Sequence, residues 1–286
     1  MIKNYCIFMH KGVMSHYLIG DKQMKKLITL LTLLLIAFTL FASGKAEDKN
    51  EKPVLKLGTE TGFPPSEFKI DIDGEEKIVG SDIFLAEHIA AELGMELEII
   101  DMAFDTLLLE LNQGRVDMVI AGLAGTPERA EIVELTTPYH TGLQTIVTLK
   151  ENANQYKDFE DFDGKIIGAQ QGTIQEKFIV DYLPKAQLFA NDKLDNLFLE
   201  LMTGRIDAMV IPETTATLKQ SVYPELEITL KLDPEYFKSS GTVAAIKKGN
   251  IELLEKVNAI IEKVVEDGTF LKWRDEAIAL QKKYLG

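Results

Sequence analysis

Leu111-Asn112-Gln113-Gly114-Arg115-Val116-Asp117-Met118-Val119 returns ninety positions later as Leu201-Met202-Thr203-Gly204-Arg205-Ile206-Asp207-Ala208-Met209. Glu110 and Glu200 extend the match upstream. Each copy reads as the end of a helix, a glycine turn and a buried strand. The segments beyond the two strands differ. The first copy runs into Ala121-Gly122-Leu123-Ala124-Gly125-Thr126-Pro127-Glu128-Arg129, the second into Ile211-Pro212-Glu213-Thr214. A repeated α/β unit with two different strand tips predicts two lobes, each offering its own chemistry to something held between them.

The flanking sequence extends the pattern. Val54–Leu57 reads as a short strand and Gly58–Gly62 as a loop at its end, followed by a stiff Pro64-Pro65 pair. Asp71–Gly74 reads as a hairpin turn, and Asp82–Leu93 as an amphipathic helix stopped by Gly94. Leu97–Ile100 is a strand, Phe104–Leu111 a helix and Val116–Ala121 a buried strand. Thr126-Pro127 is an N-cap followed by proline at the first helical position. Strands at Gly142–Leu149 and Lys165–Ala169, helices at Glu176–Tyr182 and Leu194–Met202, and a strand at Asp207–Ile211 form a second set. Gly241–Ile246 is a late strand, and helices at Ile251–Glu266 and Phe270–Tyr284 close the chain. The alternation is an α/β pattern that predicts parallel strands. We expect residues 53–145 in lobe one, 146–232 in lobe two and 233–286 returning to lobe one. The crossings would fall near Gly142–Thr148 and Ile228–Asp233, a natural hinge.

The chain has 286 residues and a formal charge of −14. Residues 1–44 hold five lysines and one aspartate, which leaves 26 basic and 44 acidic side chains beyond them. That balance argues against nucleic acid as a partner, because phosphate binding needs positive charge. Lys25-Lys26, the sixteen-residue apolar run Leu27–Ala42 and the small residues Ala42-Ser43-Gly44 resemble an export signal. The run is short for a membrane span of roughly twenty residues, although an uncleaved anchor is the alternative. Met24 suits a signal start better than Met1, so residues 1–44 are expected to be an upstream extension plus signal peptide, and residues 45–52 a flexible leader. Cys6 is the only cysteine and precedes the signal. The exported part is therefore expected to hold no disulfide, cysteine nucleophile or lipid attachment point, and to lie in the periplasm or outside the cell.

Gly58-Thr59-Glu60, Phe63-Pro64-Pro65, Val79-Gly80-Ser81-Asp82-Ile83, Phe104-Asp105 and Gly114-Arg115-Val116-Asp117 occur in order. Ala121-Gly122, Thr126-Pro127-Glu128-Arg129, Gln171-Gly172-Thr173 and Asp267-Gly268-Thr269 come after them. In that order and spacing the chain, over residues 54–285, resembles the solute-binding proteins of ABC importers for polar amino acids (bacterial solute-binding protein family 3). The resemblance implies the two-lobed periplasmic-binding-protein fold, with a ligand cleft between lobes joined by two hinge crossings. It implies an amino acid ligand, a membrane permease as partner, a monomer and no cofactor.

An amino acid taken from water needs partners for its α-carboxylate and α-ammonium. By the resemblance, Arg129 takes the carboxylate, with Gly122 and Ala124 in the loop before it and Thr173 from the second lobe. Ala124 stands where relatives carry Ser or Thr, which removes one side-chain hydrogen bond. Glu213 matches the aspartate that receives the α-ammonium, with a reach one methylene longer. Phe63 and Phe104 match an aromatic pair flanking the ligand's side chain, and aromatic faces suit an aliphatic stem and a cation. Glu60 matches an acidic position that meets the ligand's distal nitrogen. Gln170 and Ile174 are expected on the wall. Glu60 between two phenylalanines favours Lys, Arg, ornithine, His or Gln over an acidic ligand. Each of these residues also has a plainer reading, as core or as solvated surface.

Two other functions suit parts of the same pattern. A dehydratase or lyase on the same scaffold needs an acid or base near a reacting carbon, and Glu60, Glu213 and His140 are candidates. No catalytic triad spacing, phosphate-binding glycine loop or His/Cys metal cluster appears in the sequence, so no enzyme and no metal are expected. A ligand sensor serving a separate receptor would use the same cleft.

Overall fold

The computed structural model describes residues 52–285. The signal segment, Cys6 and leader residues 45–51 lie outside the described residues. In chain order, β1 (Val54–Thr59) leads into a ribbon of β2 (Gly62–Phe63), β3 (Glu67–Ile72) and β4 (Glu75–Val79). The β3–β4 turn is the one expected at Asp71–Gly74, with Asp73 and Gly74 at φ 55° and 84°, the paired positive angles of a tight hairpin. Next come α1 (Ser81–Glu92), β5 (Glu96–Asp101), α2 (Leu107–Asn112), β6 (Met118–Val119), α3 (Pro127–Ile132) and β7 (Val133–Leu135). A second series comprises β8 (Gln144–Leu149), β9 (Ile166–Gln170), α4 (Ile174–Tyr182), β10 (Gln187–Asn191) and α5 (Leu194–Met202). It ends with β11 (Ala208–Pro212), α6 (Glu213–Val222) and β12 (Leu226–Leu232). The chain closes with β13 (Ala245–Lys247), α7 (Ile251–Glu266) and α8 (Thr269–Tyr284).

Two five-stranded sheets carry the fold, ordered β5-β1-β6-β13-β7 and β10-β9-β11-β8-β12. The two orders correspond strand for strand. In each, the first three strands are mutually parallel. The fourth, β13 or β8, runs against both its neighbours. The expectation of parallel strands therefore fails at β8 and β13. Both come after a passage from the other sheet rather than a helical crossover, so nothing constrains them to run parallel.

The crossings also differ from the expected positions. β8 and β12 pair with each other, from Leu226 opposite Leu149 to Leu232 opposite Gln144. The chain therefore passes between the sheets in residues 136–143 and 233–244, and these two passages meet at a bridge between His140 and Thr242. The strand expected over Val116–Ala121 is regular only at Met118–Val119, and the helix expected from Phe104 begins as a tighter turn over Phe104–Thr106.

Both faces of each sheet are covered. In the first, Leu55, Leu57, Met118 and Ile120 pack toward Ile83, Ile89, Val257 and Ile261 of the helices. Val119 and Ala121 pack on the other face with Leu107, Leu111 and Val243. In the second, Ile146, Ile167 and Val210 share one core with Phe178, while Val147 and Met209 share another with Leu197 and Leu201. Alternation of side chains along a strand puts neighbours on opposite faces, so two-sided burial requires continuous apolar runs. The unlike tips beyond β6 and β11 are thereby left to emerge beside each other.

Candidate functional site

Arg129 sits on the first turn of α3. Thr126 caps that helix, its hydroxyl accepting the Arg129 N–H at 3.3 Å, with Pro127 next. The guanidinium folds back to donate to the Ala124 carbonyl at 2.7 Å. It also donates to the Gly172 carbonyl at 2.9 Å, a residue of the loop after β9. Its carbon stands 5.6 Å from the centre of the Phe104 ring. Burial lowers its pKa to about 10, so it remains a cation at neutral pH.

The loop after β9 is shaped by Thr173, whose hydroxyl donates to the Gln170 carbonyl at 2.6 Å and accepts the Glu176 N–H at 3.3 Å. Gly172 has φ 78°, and a side chain there would meet Asp105 backbone and Cβ at 3.0 Å. Only glycine lets this loop approach the segment after β5 so closely. Gly122 is similar: φ is 57° and a Cβ would lie 3.2 Å from the Phe63 ring.

Glu60 directly follows β1 and is 1% exposed. Its two oxygens face Lys193 Nζ at 3.3 Å and Gln170 Nε2 at 3.4 Å, both from the second sheet's side. Burial raises its carboxyl above the ordinary value, and the Lys193 charge opposes that rise. Glu213 opens α6. Its N–H donates to the Leu143 carbonyl at 2.8 Å and its carboxylate pairs with Lys231 at 2.5 Å.

One cavity of 550 Å³ joins these groups, a size suited to a small ligand. All ten residues singled out in the sequence line it: Glu60, Phe63, Phe104, Gly122, Ala124, Arg129, Gln170, Thr173, Ile174 and Glu213. The cavity also reaches His140 and Arg274 beside the crossings. His140, a catalytic candidate from the sequence, has its pKa held down to about 4 by burial and then by the Arg274 charge. It is a neutral imidazole at physiological pH. Among the described residues, no three His, Cys, Asp or Glu side chains form a group that could hold a metal ion.

Sequence reasoning missed several residues. Asp82 is 1% exposed, and its Oδ2 accepts the Gly122 N–H at 2.8 Å and the Tyr139 hydroxyl at 2.7 Å. Glu67, also 1% exposed, lies against Asp82, and burial raises its carboxyl well above the ordinary value. Burial raises the Asp82 carboxyl as well, and the donors from Gly122 and Tyr139 oppose that rise. Lys193 and Lys231 were missed too. A charge inside the pattern Pro65-Ser66-Glu67-Phe68, where the chain is otherwise apolar, was a signal available for Glu67. No local signal marks Lys193, whose partner lies 133 positions away.

The family described as bacterial extracellular solute-binding proteins, family 3, matches residues 55–285. The chain belongs to that family. ABC transporter arginine-binding protein 1 of Escherichia coli is 34% identical over 255 residues, which cover 88% of this chain and 98% of that protein. The probable histidine-binding protein of Campylobacter jejuni is 33% identical over 206 residues, 68% of this chain and 78% of that protein. The L-cystine-binding protein TcyJ of Escherichia coli is 30% identical over 237 residues, 82% and 84% of the two chains. Among solved structures, the amino acid ABC transporter substrate-binding protein AbpA of Streptococcus pneumoniae, bound to L-arginine, superposes with a TM-score of 0.76. It is 33% identical, with 79% of this chain and 94% of that chain covered. The ancestral amino-acid-binding protein AncCDT-1, described as a precursor of cyclohexadienyl dehydratase, superposes at 0.69 with 32% identity, 79% and 95% covered. The fold of this family member is thus the two-lobed one, and the relatives named above are amino-acid-binding proteins, with the Escherichia coli arginine-binding protein and Streptococcus pneumoniae AbpA belonging to ABC transporters.

Proposed function

We propose that this protein captures a cationic or amide amino acid outside the cytoplasmic membrane and hands it to an ABC permease. The observation that carries the reading is the charge pattern of one cavity. Its lining carries the Arg129 guanidinium and, apart from the Asp82–Glu67 pair behind Gly122, the Glu60 and Glu213 carboxylates, with Arg274 as a second guanidinium beside the crossings. A ligand with one carboxylate and two nitrogen-bearing groups fits that pattern, and an acidic amino acid does not. Arg129 holds the α-carboxylate with the Ala124 N–H and Thr173, while Gly122, its own N–H held by Asp82, lets the loop pass close to the ligand. Glu213 receives the α-ammonium. Phe63 and Phe104 flank the aliphatic stem, Gln170 and Ile174 wall it, and Glu60 meets the distal nitrogen. The names of the arginine- and histidine-binding relatives agree with this choice.

The lobes of this reading are residues 53–135 with 245–286, and residues 144–232, joined by the two passages between the sheets. The protein works as an exported monomer, delivered by the N-terminal signal, with no catalytic step of its own. Closure of the lobes buries the ligand and forms the surface that the permease reads. A thermal-shift screen of the common amino acids plus ornithine tests the ligand class. Stabilisation by arginine, lysine and ornithine, with smaller shifts for histidine and glutamine, is expected. Stabilisation by glutamate or aspartate alone overturns the reading.

A further inference from the structure

Lys193 has a placement that its own helix does not explain. It occupies the N-cap position of α5, where no side chain caps the helix. A cation at a helix N-terminus is disfavoured by the aligned peptide dipoles. Its backbone is fixed by a turn, with the Lys193 N–H donating to Asn191 Oδ1 at 2.9 Å. Gln170 Nε2 ties the same loop by donating to the Asp192 carbonyl at 3.1 Å. From that anchored loop the ammonium crosses the cleft to Glu60 Oε1 at 3.3 Å. Among the described residues, no other basic side chain pairs with Glu60.

We propose that Lys193 is a specificity-determining residue that competes with the ligand's distal cation for the Glu60 carboxylate. The proposal rests on reading Glu60 as the distal-nitrogen site. Glu60 is buried and needs a partner. Lys193 supplies one from the opposite lobe, and its half-exposed side chain swings out when a ligand cation arrives. A guanidinium must displace this ammonium or share the carboxylate with a like charge. Either route lowers the affinity for a cation. A neutral ureido group carries no such penalty, since it donates to Glu60 without repelling Lys193. Burial raises the Glu60 carboxyl, and the Lys193 charge, followed by the Gln170 amide, opposes that rise.

Calorimetric titration of the purified protein, Lys193→Met and Lys193→Arg with arginine and citrulline tests the competition. The two ligands share a shape and differ in distal charge. Lys193→Met is expected to bind arginine about tenfold more tightly, with citrulline changed less than about twofold. Lys193→Arg keeps the charge and is expected to resemble the parent. Thermal unfolding of each variant establishes that it is folded. Unchanged or weaker arginine binding by Lys193→Met, with citrulline binding retained, overturns the competition and leaves the site assignment standing. Loss of citrulline binding alone would make Lys193 a ligand contact and also overturns it. If neither ligand binds any of the three proteins, the site assignment falls, and the competition with it.

Discussion

In the first copy of the repeat, Asp117 accepts the Lys56 N–H at 2.9 Å and its own N–H donates to the Lys56 carbonyl at 2.8 Å. In the second, Asp207 makes the same two bonds with Ile166, both at 2.8 Å. Arg115 pairs with Glu110, and Arg205 with Glu200. Gly114 and Gly204 turn the chain at φ 73° and 71°. Past their strands the copies diverge. The first tip is backed by buried acids, with Asp82 holding the Gly122 N–H and Glu67 beside it. The second tip opens α6 with Glu213, whose partner Lys231 is largely exposed. The repeat is a shared mount, and the residues that follow each strand set which charge each tip carries. The cation of tip one is held by the Ala124 and Gly172 carbonyls; the anion of tip two pairs with a solvated ammonium.

The largest expected effect breaks one tip and spares its mount. Arg129→Ala is expected to weaken binding of the ligand found in the thermal-shift screen by about 3 kcal/mol, roughly a hundredfold. Thermal stability should change little. Calorimetry on that variant checks it, and undiminished affinity removes Arg129 from the site.

A smaller effect tests whether the two mounts are energetically alike. Asp117→Ala and Asp207→Ala each strip a strand N–H of its carboxylate acceptor. Each is expected to cost about 1 kcal/mol by denaturant unfolding, and the pair should agree within roughly 0.5 kcal/mol. A large disparity would mean that the matching hydrogen bonds carry unequal loads.

The smallest effect isolates the acids behind tip one. Glu67 has a folded pKa raised above its ordinary 4.5 by burial, then by Asp82. Such a group favours the fold fully below its unfolded pKa, and that stability is lost as pH rises through the raised value. Glu67→Gln keeps a donor toward Asp82 at every pH. The variant should melt with the parent near pH 4.5 and about 2 °C above it at pH 8. Equal melting at both pH values would show that Glu67 does not titrate in this range.

Much of the site was legible because its signals are local. A Thr-Pro cap, a glycine turn and a strand tip are set by residues within four positions of one another. That range placed Arg129 on a first helical turn and Glu213 at a strand tip, while the helix that Glu213 opens, α6, was not read from the sequence. The directions of β8 and β13 were not legible, since periodicity reports burial and not orientation. Nor were Lys193 and the Glu67–Asp82 pair. A buried carboxyl's partners depend on which strand ends the fold brings together.

The sequence by itself determined the repeat, its two unlike tips and the residue types offered to a ligand, because backbone propensity and capping act over single turns. The tertiary structure alone decided that Glu60 meets Lys193 across the cleft and that Gly122 rests on a buried aspartate. Charges separated by 133 positions in sequence interact only through space, and only packing sets that distance.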